Sequence, residues 1–280
     1  DSNDKSQHPE TVDARPTIPI RPELTAMTDD AMDAIARRPD LGVYVRAGML
    51  VTIVRNGSPR DQWIRRPPGA PMIVPVEHAR MMSLLDLAAR WMKWDKRQDG
   101  WTPAIPLPLI ATQVLARAEW PLPYLVALTE TPTIRQDGTI LDRPGYDDVT
   151  GLLFEPVPGA DACPPIPEFP TRPEVESALE ALLAPVLDFP FVSNTDKAAY
   201  VAAVLTLIAR HIIDGPTPMF AVRAPTPGTG KGLLVSVIGN IGTGRDPAVM
   251  TMVEADELRK RITALAVAGT PLVLLDNISG

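Results

Sequence analysis

Between residues 216 and 276 short apolar runs alternate with stretches of helical period, and this alternation restricts the fold more than any other feature of the chain. A strand is predicted over 216–222, a helix over 230–238 and a second strand over 249–253. A helix over 255–267 and an apolar strand over 271–275 follow, ending in Asp276 and Asn277. Strands separated by helices pair most readily in parallel, with the helices packed on the sheet faces. The first strand meets the first helix through R-A-P-T-P-G-T-G-K-G-L-L, residues 223–234.

A strand–loop–helix junction rich in glycine converges several backbone N–H groups and the positive end of a helix dipole on one point, which suits phosphate oxygens. Gly228 and Gly230 let the backbone curl round an anion without a Cβ in the way, and Lys231 adds a point charge for the β- and γ-phosphates. The candidate nucleotide-binding residues are Pro227, Gly228, Thr229, Gly230, Lys231, Gly232 and Leu233. The loop departs twice from the phosphate-loop pattern G-x-x-x-x-G-K-[ST]. Pro225 stands at the first glycine, and Gly232 stands where a magnesium-binding hydroxyl is expected. Magnesium usually keeps several waters, so a water can fill that place while Asp276, the candidate metal ligand, acts through or beside it. Lys231, Asp276 and Asn277 are the candidate catalytic residues, with ATP and magnesium as the implied cofactors. Asn277 cannot act as a base, which leaves it to orient water or sense the γ-phosphate. Slow hydrolysis, or a base supplied from elsewhere, is the expectation.

The rest of the chain is punctuated by proline: 32 in 280 residues, more than twice the usual share of about 5%. The densest run, 155–173, holds seven. This spacing predicts a disordered tail over 1–22, an α+β module over 23–159 for DNA binding or docking, a linker over 160–173, and an ATPase domain over 174–280. Within the module, helices are predicted over 23–38, 78–94 and 109–118. Strands are predicted over 43–45, 50–54 and 72–76, with turns at Asn56-Gly57, Asp137-Gly138 and Pro144-Gly145. In the ATPase domain, helices over 174–187 and from an Asn194 cap to 213 precede the first strand. The fold class expected is therefore α/β, a P-loop NTPase core whose sheet is incomplete, preceded by a smaller α+β module. No repeat of 20–50 residues is present.

The single cysteine, Cys163, permits no intramolecular disulfide and fits a reducing, cytoplasmic compartment. One Cys and three scattered histidines, His8, His78 and His211, do not compose a zinc site. The longest apolar stretch, 198–213, is broken by Arg210 and His211, so no membrane contact is expected. The chain starts without methionine and stops just after an apolar strand, which predicts a piece of a longer polypeptide.

Net charge is −7, yet it is unevenly spread. Residues 37–97 hold twelve Arg/Lys against five Asp/Glu, and the remainder carries −14. Trp63, Trp91, Trp94 and Trp101 lie in or beside that basic stretch. Basic side chains interleaved with aromatics can track a phosphate backbone and stack bases, whereas Trp91 and Trp94, three apart, also fit the core face of a helix.

Three phrases carry a family likeness: T-P-T-I-R-Q-D-G-T-I-L, P-G-Y-D-D-V-T-G-L-L-F, and the run H-I-I-D-G-P-T-P-M-F-A-V-R-A-P-T-P-G-T-G-K-G-L-L with V-L-L-D-N-I downstream. From about residue 126 to 280 the chain resembles the helicase part of phage- and plasmid-type primase-helicase replication proteins. That resemblance implies a RecA-like or AAA+-like core that forms a homo-oligomeric ring and moves on single-stranded DNA or a fork. It places phosphates on Gly228, Gly230 and Lys231 and magnesium on Asp276. It also implies an active-site arginine from a neighbouring subunit, beyond the strand aspartate. Two alternatives stay open. P-G-T-G-K-G is similar to the loop of nucleotide and nucleoside kinases, although Leu233 stands where those carry threonine. A non-hydrolysing ATP-binding adaptor is the other.

Overall fold

The computed structural model describes residues 14–55, 63–159, 166–224, 226 and 228–276. The turn expected at Asn56-Gly57, Cys163, Pro225, Pro227 and Asn277 lie outside the described residues, as do residues 1–13 of the expected tail and 160–165 of the expected linker.

Along the chain run β1 (Thr17–Pro19), α1 (Leu24–Ala36), β2 (Val43–Arg46), β3 (Met49–Arg55), β4 (Pro71–Pro75), α2 (His78–Ala88), β5 (Arg90–Asp95), β6 (Gly100–Ala104) and α3 (Pro108–Leu115). A run of short strands follows: β7 (Ala127–Thr129), β8 (Thr133–Ile134), β9 (Ile140–Leu141), β10 (Gly145–Asp147) and β11 (Leu152–Phe154). The last part comprises α4 (Arg172–Leu183), α5 (Asn194–Ile208), α6 (Lys231–Thr243), β12 (Ala248–Thr251), α7 (Ala255–Val267) and β13 (Val273–Asp276). The result is a mixed α/β chain with small sheets of two or three strands. No helix among the described residues is long and apolar enough to cross a membrane.

Two compact units divide the chain: Asp1–Thr52 with Pro75–Pro123, and Ile53–Val74 with Tyr124–Gly280. This division falls at Tyr124, ahead of the boundary expected at 159, so both short hairpin phrases 131–141 and 144–154 belong with the phosphate loop.

In the first unit, β1 runs parallel to β5, which pairs antiparallel with β6. The expected tail is thus corrected at residues 17–19. The alternation T-I-P-I buries Ile18 and packs Ile20 on the core, and that burial makes the segment a strand. The helix expected over 78–94 ends at Ala88. Ala89 turns extended (φ −144°, ψ 159°), and R-W-M-K-W-D becomes β5. Trp91 satisfies the helical spacing of Met81, Leu84 and Leu85 by coincidence and reaches the same core from a strand. The β2–β3 hairpin closes on Ala47 (φ 48°) and Gly48 (φ 74°), both left-handed as a two-residue type I′ turn requires. Met27, Met32 and Ile35 of α1, Met81, Leu84 and Leu85 of α2, and Ile110 and Val114 of α3 form one contiguous core.

In the second unit, β7 and β10 flank β11, parallel and antiparallel respectively. β8 and β9 form a hairpin round Asp137-Gly138. β12 and β13 pair in parallel with α7 as the crossover, as the alternation predicts. Arg65 adds an antiparallel bridge to Val249. Leu258 and Leu265, seven apart on α7, pack with Ile64, Ala248, Met250 and Leu275.

The strand expected over 216–222 does not form: residues 216–224 have no regular structure. Pro216 and Pro218 remove ladder donors, and Met219 is 80% exposed. An apolar run without a strand to pair with is not a strand. α5 is capped by Ser193, one residue ahead of the Asn194 expected, and ends at Ile208 instead of 213.

Candidate nucleotide site

The loop and helix at 228–243 are built on backbone geometry that only glycine adopts readily. Gly228 (φ 79°) and Gly230 (φ 83°) are left-handed, and Gly230 is the residue from which α6 starts. A Cβ at Gly228 or Gly232 would meet nothing within 4 Å, so the loop is not filled by the protein's own atoms at these points. Thr229 Oγ1 donates to the Thr226 carbonyl (3.3 Å), which tightens the turn.

The first helical bond of α6 runs from Leu234 N–H to Gly230 O (2.9 Å). The N–H groups of Lys231, Gly232 and Leu233 precede it, in the first turn of the helix. α4 and α5 of this unit close that end with their own side chains. Ser193 and Asp196 form a capping box on α5, with Asp196 accepting the Ser193 N–H at 2.9 Å. Glu174 does the same for Thr171 at the start of α4 (2.7 Å), and α7 carries Asp256 and Glu257 in its first turn. α6 has no capping side chain and no acid in its first turn, and its first residue is Lys231. A helix start of this kind can receive an anion on its donors and dipole.

Behind the loop, α6 packs on α5 and on an aromatic cluster. Phe189 Cε2 lies 3.6 Å from where a Cβ at Gly230 would be. Phe189 and Phe191 are 4.8 Å apart between ring centres, and Phe191 leans on Tyr200 at 6.2 Å. Leu234 and Ile238 enter the same cluster, while Leu233 is 71% exposed. Phe189 is not singled out by the sequence, its F-P-F standing two to four residues ahead of the capping Ser193.

The far end of α6 is fastened by residues of the T-E-T-P-T stretch. Thr131 Oγ1 donates to Gly242 O (3.0 Å), and Thr133 Oγ1 to Ile208 O at the end of α5 (2.6 Å). Glu130, nearly buried, accepts from Arg245 Nη2 (2.9 Å) and Arg55 Nη1 (2.9 Å), and Arg55 reaches Glu155 at 2.8 Å. Gly242 admits Leu207 so closely that a Cβ would lie 2.6 Å from its Cδ1. In the two quoted hairpin phrases, Arg135 joins Asp147 (3.1 Å), and Thr150 also donates to that carboxylate. These partners hold the Asp147 carboxyl below the usual carboxylate range.

Asp276 ends β13, opposite Thr251 in the register, and is exposed. α6, which Lys231 begins, packs through Leu234 and Ile238 in the cluster with α5, whereas β13 packs through Val273 and Leu275 in the cluster of β12 and α7. Among the described residues no three His, Cys, Asp or Glu side chains group as a metal site. Magnesium bound to a nucleotide takes one or two carboxylates, with phosphates and water completing its shell, so Asp276 suits that ion without such a group. His78 is engaged with Pro108 O (3.0 Å), and burial, with Arg210 beside it, pushes the His211 imidazole down.

Comparison of the chain with protein-family models, with curated proteins and with solved structures finds no match.

Proposed function

We propose that the chain binds ATP at 228–233 in a P-loop NTPase core and hydrolyses it as the motor of a DNA helicase, in phage or mobile-element replication. The observation that carries this reading is the start of α6: uncapped, free of acid and led by two left-handed glycines, in a unit where α4 and α5 close their N-termini with carboxylates and α7 carries two acids in its first turn. The N–H groups of Lys231, Gly232 and Leu233 and the Lys231 ammonium hold phosphate oxygens. Asp276 holds magnesium and Asn277 orients the attacking water. Bound ATP supplies the free energy of its terminal anhydride. Without a carboxylate base at 277, turnover by these residues is slow. The helicase role and the homo-oligomeric ring on single-stranded DNA come from the resemblance to primase-helicase proteins.

The test is ATP turnover with and without single-stranded DNA, against Lys231→Ala. The expected outcome is DNA-stimulated turnover that the substitution lowers by about 100-fold or more. Phosphoryl transfer to a nucleoside monophosphate would favour the kinase reading, to which Gly232 after Lys231 lends itself. ATP binding without turnover would favour the adaptor. Turnover unchanged in Lys231→Ala would take the loop out of the chemistry.

A further inference from the structure

The tryptophans of the basic stretch occupy different environments. Trp91 is buried, its Nε1–H given to Leu85 O (2.9 Å). Trp63 carries the Arg261 guanidinium 4.9 Å above its ring. Trp94 and Trp101 belong to neither group. They face each other directly across the β5–β6 hairpin with ring centres 5.6 Å apart and planes at 80°. Each is about half exposed, at 48% and 51%.

The hairpin end that carries them, residues 93–101, holds three cations against two acids. Exposed Lys93 adjoins Trp94, and exposed Lys96 and Arg97 lie in the turn between the two rings. Of the acids there, Asp95 accepts the Arg97 backbone N–H (2.8 Å), and Asp99 takes the left-handed conformation (φ 47°) that closes the turn. Two large rings held in water beside the turn that carries Lys96 and Arg97 offer stacking faces and phosphate partners within one short element. A duplex keeps its bases stacked on one another, whereas a single strand can turn them onto an aromatic side chain.

We propose that the β5–β6 hairpin end binds single-stranded nucleic acid, with bases stacking on Trp94 and Trp101 and phosphates on Lys96 and Arg97. The inference rests on the first unit alone and holds whether or not the loop at 228–233 turns ATP over.

The experiment is anisotropy of a fluorescein-labelled oligo(dT) of about 20 nucleotides with the whole chain, over a series of salt concentrations. Trp94→Leu with Trp101→Leu keeps an apolar cross-strand pair while removing the stacking faces. It is expected to weaken binding by about ten-fold or more with little change in salt slope. Lys96→Gln with Arg97→Gln is expected to flatten the slope of log affinity against log salt by about 1.4, two phosphates at about 0.7 each. The titration is run without ATP or magnesium, so its outcome does not depend on the loop at 228–233, which separates this proposal from the ATPase reading. No binding by the parent at low salt would overturn it and leave the pair to a protein partner. So would parental affinity in both double variants, or equal affinity for a duplex of the same length.

Discussion

α1, α2 and α3 of the first unit meet in a single apolar core in which Met81, Leu84 and Ile110 are fully enclosed. The second unit divides its apolar residues among smaller clusters, and α4 buries none of its residues. Directional polar ties take over there: Thr133 on the last carbonyl of α5, Thr131 near the last of α6, and Glu130 on the arginine just beyond. These ties sit at helix C-termini, where carbonyls have no partner within the helix. The two ends of α6 are consequently unlike. Its C-terminus is fastened by side chains from more than a hundred residues away, and its N-terminus is left open. The proposed phosphate role of α6 would use both conditions, because a donor array is useful to an anion only if the helix behind it does not move.

If polar ties hold the second unit, cutting the most enclosed one has the largest effect. Glu130→Ala leaves Arg55 and Arg245 without their shared carboxylate. It is expected to cost about 3–5 kcal/mol, seen as faster hydrogen exchange in α6 while α1 and α2 stay protected. Equal loss of protection in both units would erase the contrast. Gly242→Ala forces a methyl into Leu207 and is expected to cost about 1–3 kcal/mol by denaturant melting, again in the second unit.

A smaller effect is expected from pH. The folded Asp147 carboxyl titrates below its unfolded value because Arg135, then Thr150, hydrogen-bond its charged form. Its contribution is therefore complete above the usual carboxylate range of about 4 and fades as pH falls through the lowered folded value. Asp147→Asn is expected to cost about 1 kcal/mol near neutrality and to remove that part of the acid sensitivity. An unchanged acid profile would show that the Arg135–Asp147 pair does not hold the hairpins together.

Much of this contrast was legible in the sequence where local rules act. The helix at 255–267 begins and ends as its period predicts, and the parallel β12–β13 pair follows from the alternation of strand and helix. Gly230 and Lys231 stand at the start of α6, where the sequence places a helix. Failures fall where a partner decides. Residues 216–222 have strand composition, but strand structure is a property of a pair. R-W-M-K-W-D satisfies both periods as far as Trp91, and the extended Ala89 settles it. Glu130, Thr131 and Thr133 carry no local signal, since their partners lie 75 to 115 residues away.

The central claim is that the open start of α6 receives a nucleotide's phosphates. Calorimetric titration of the chain with ATP and magnesium, beside Lys231→Ala of unchanged melting temperature, tests it most directly. The account predicts saturable binding by the parent and affinity lower by about ten-fold or more in the variant, the weight of a charge-assisted contact. No heat of binding in the parent, or the same affinity in both proteins, would contradict it.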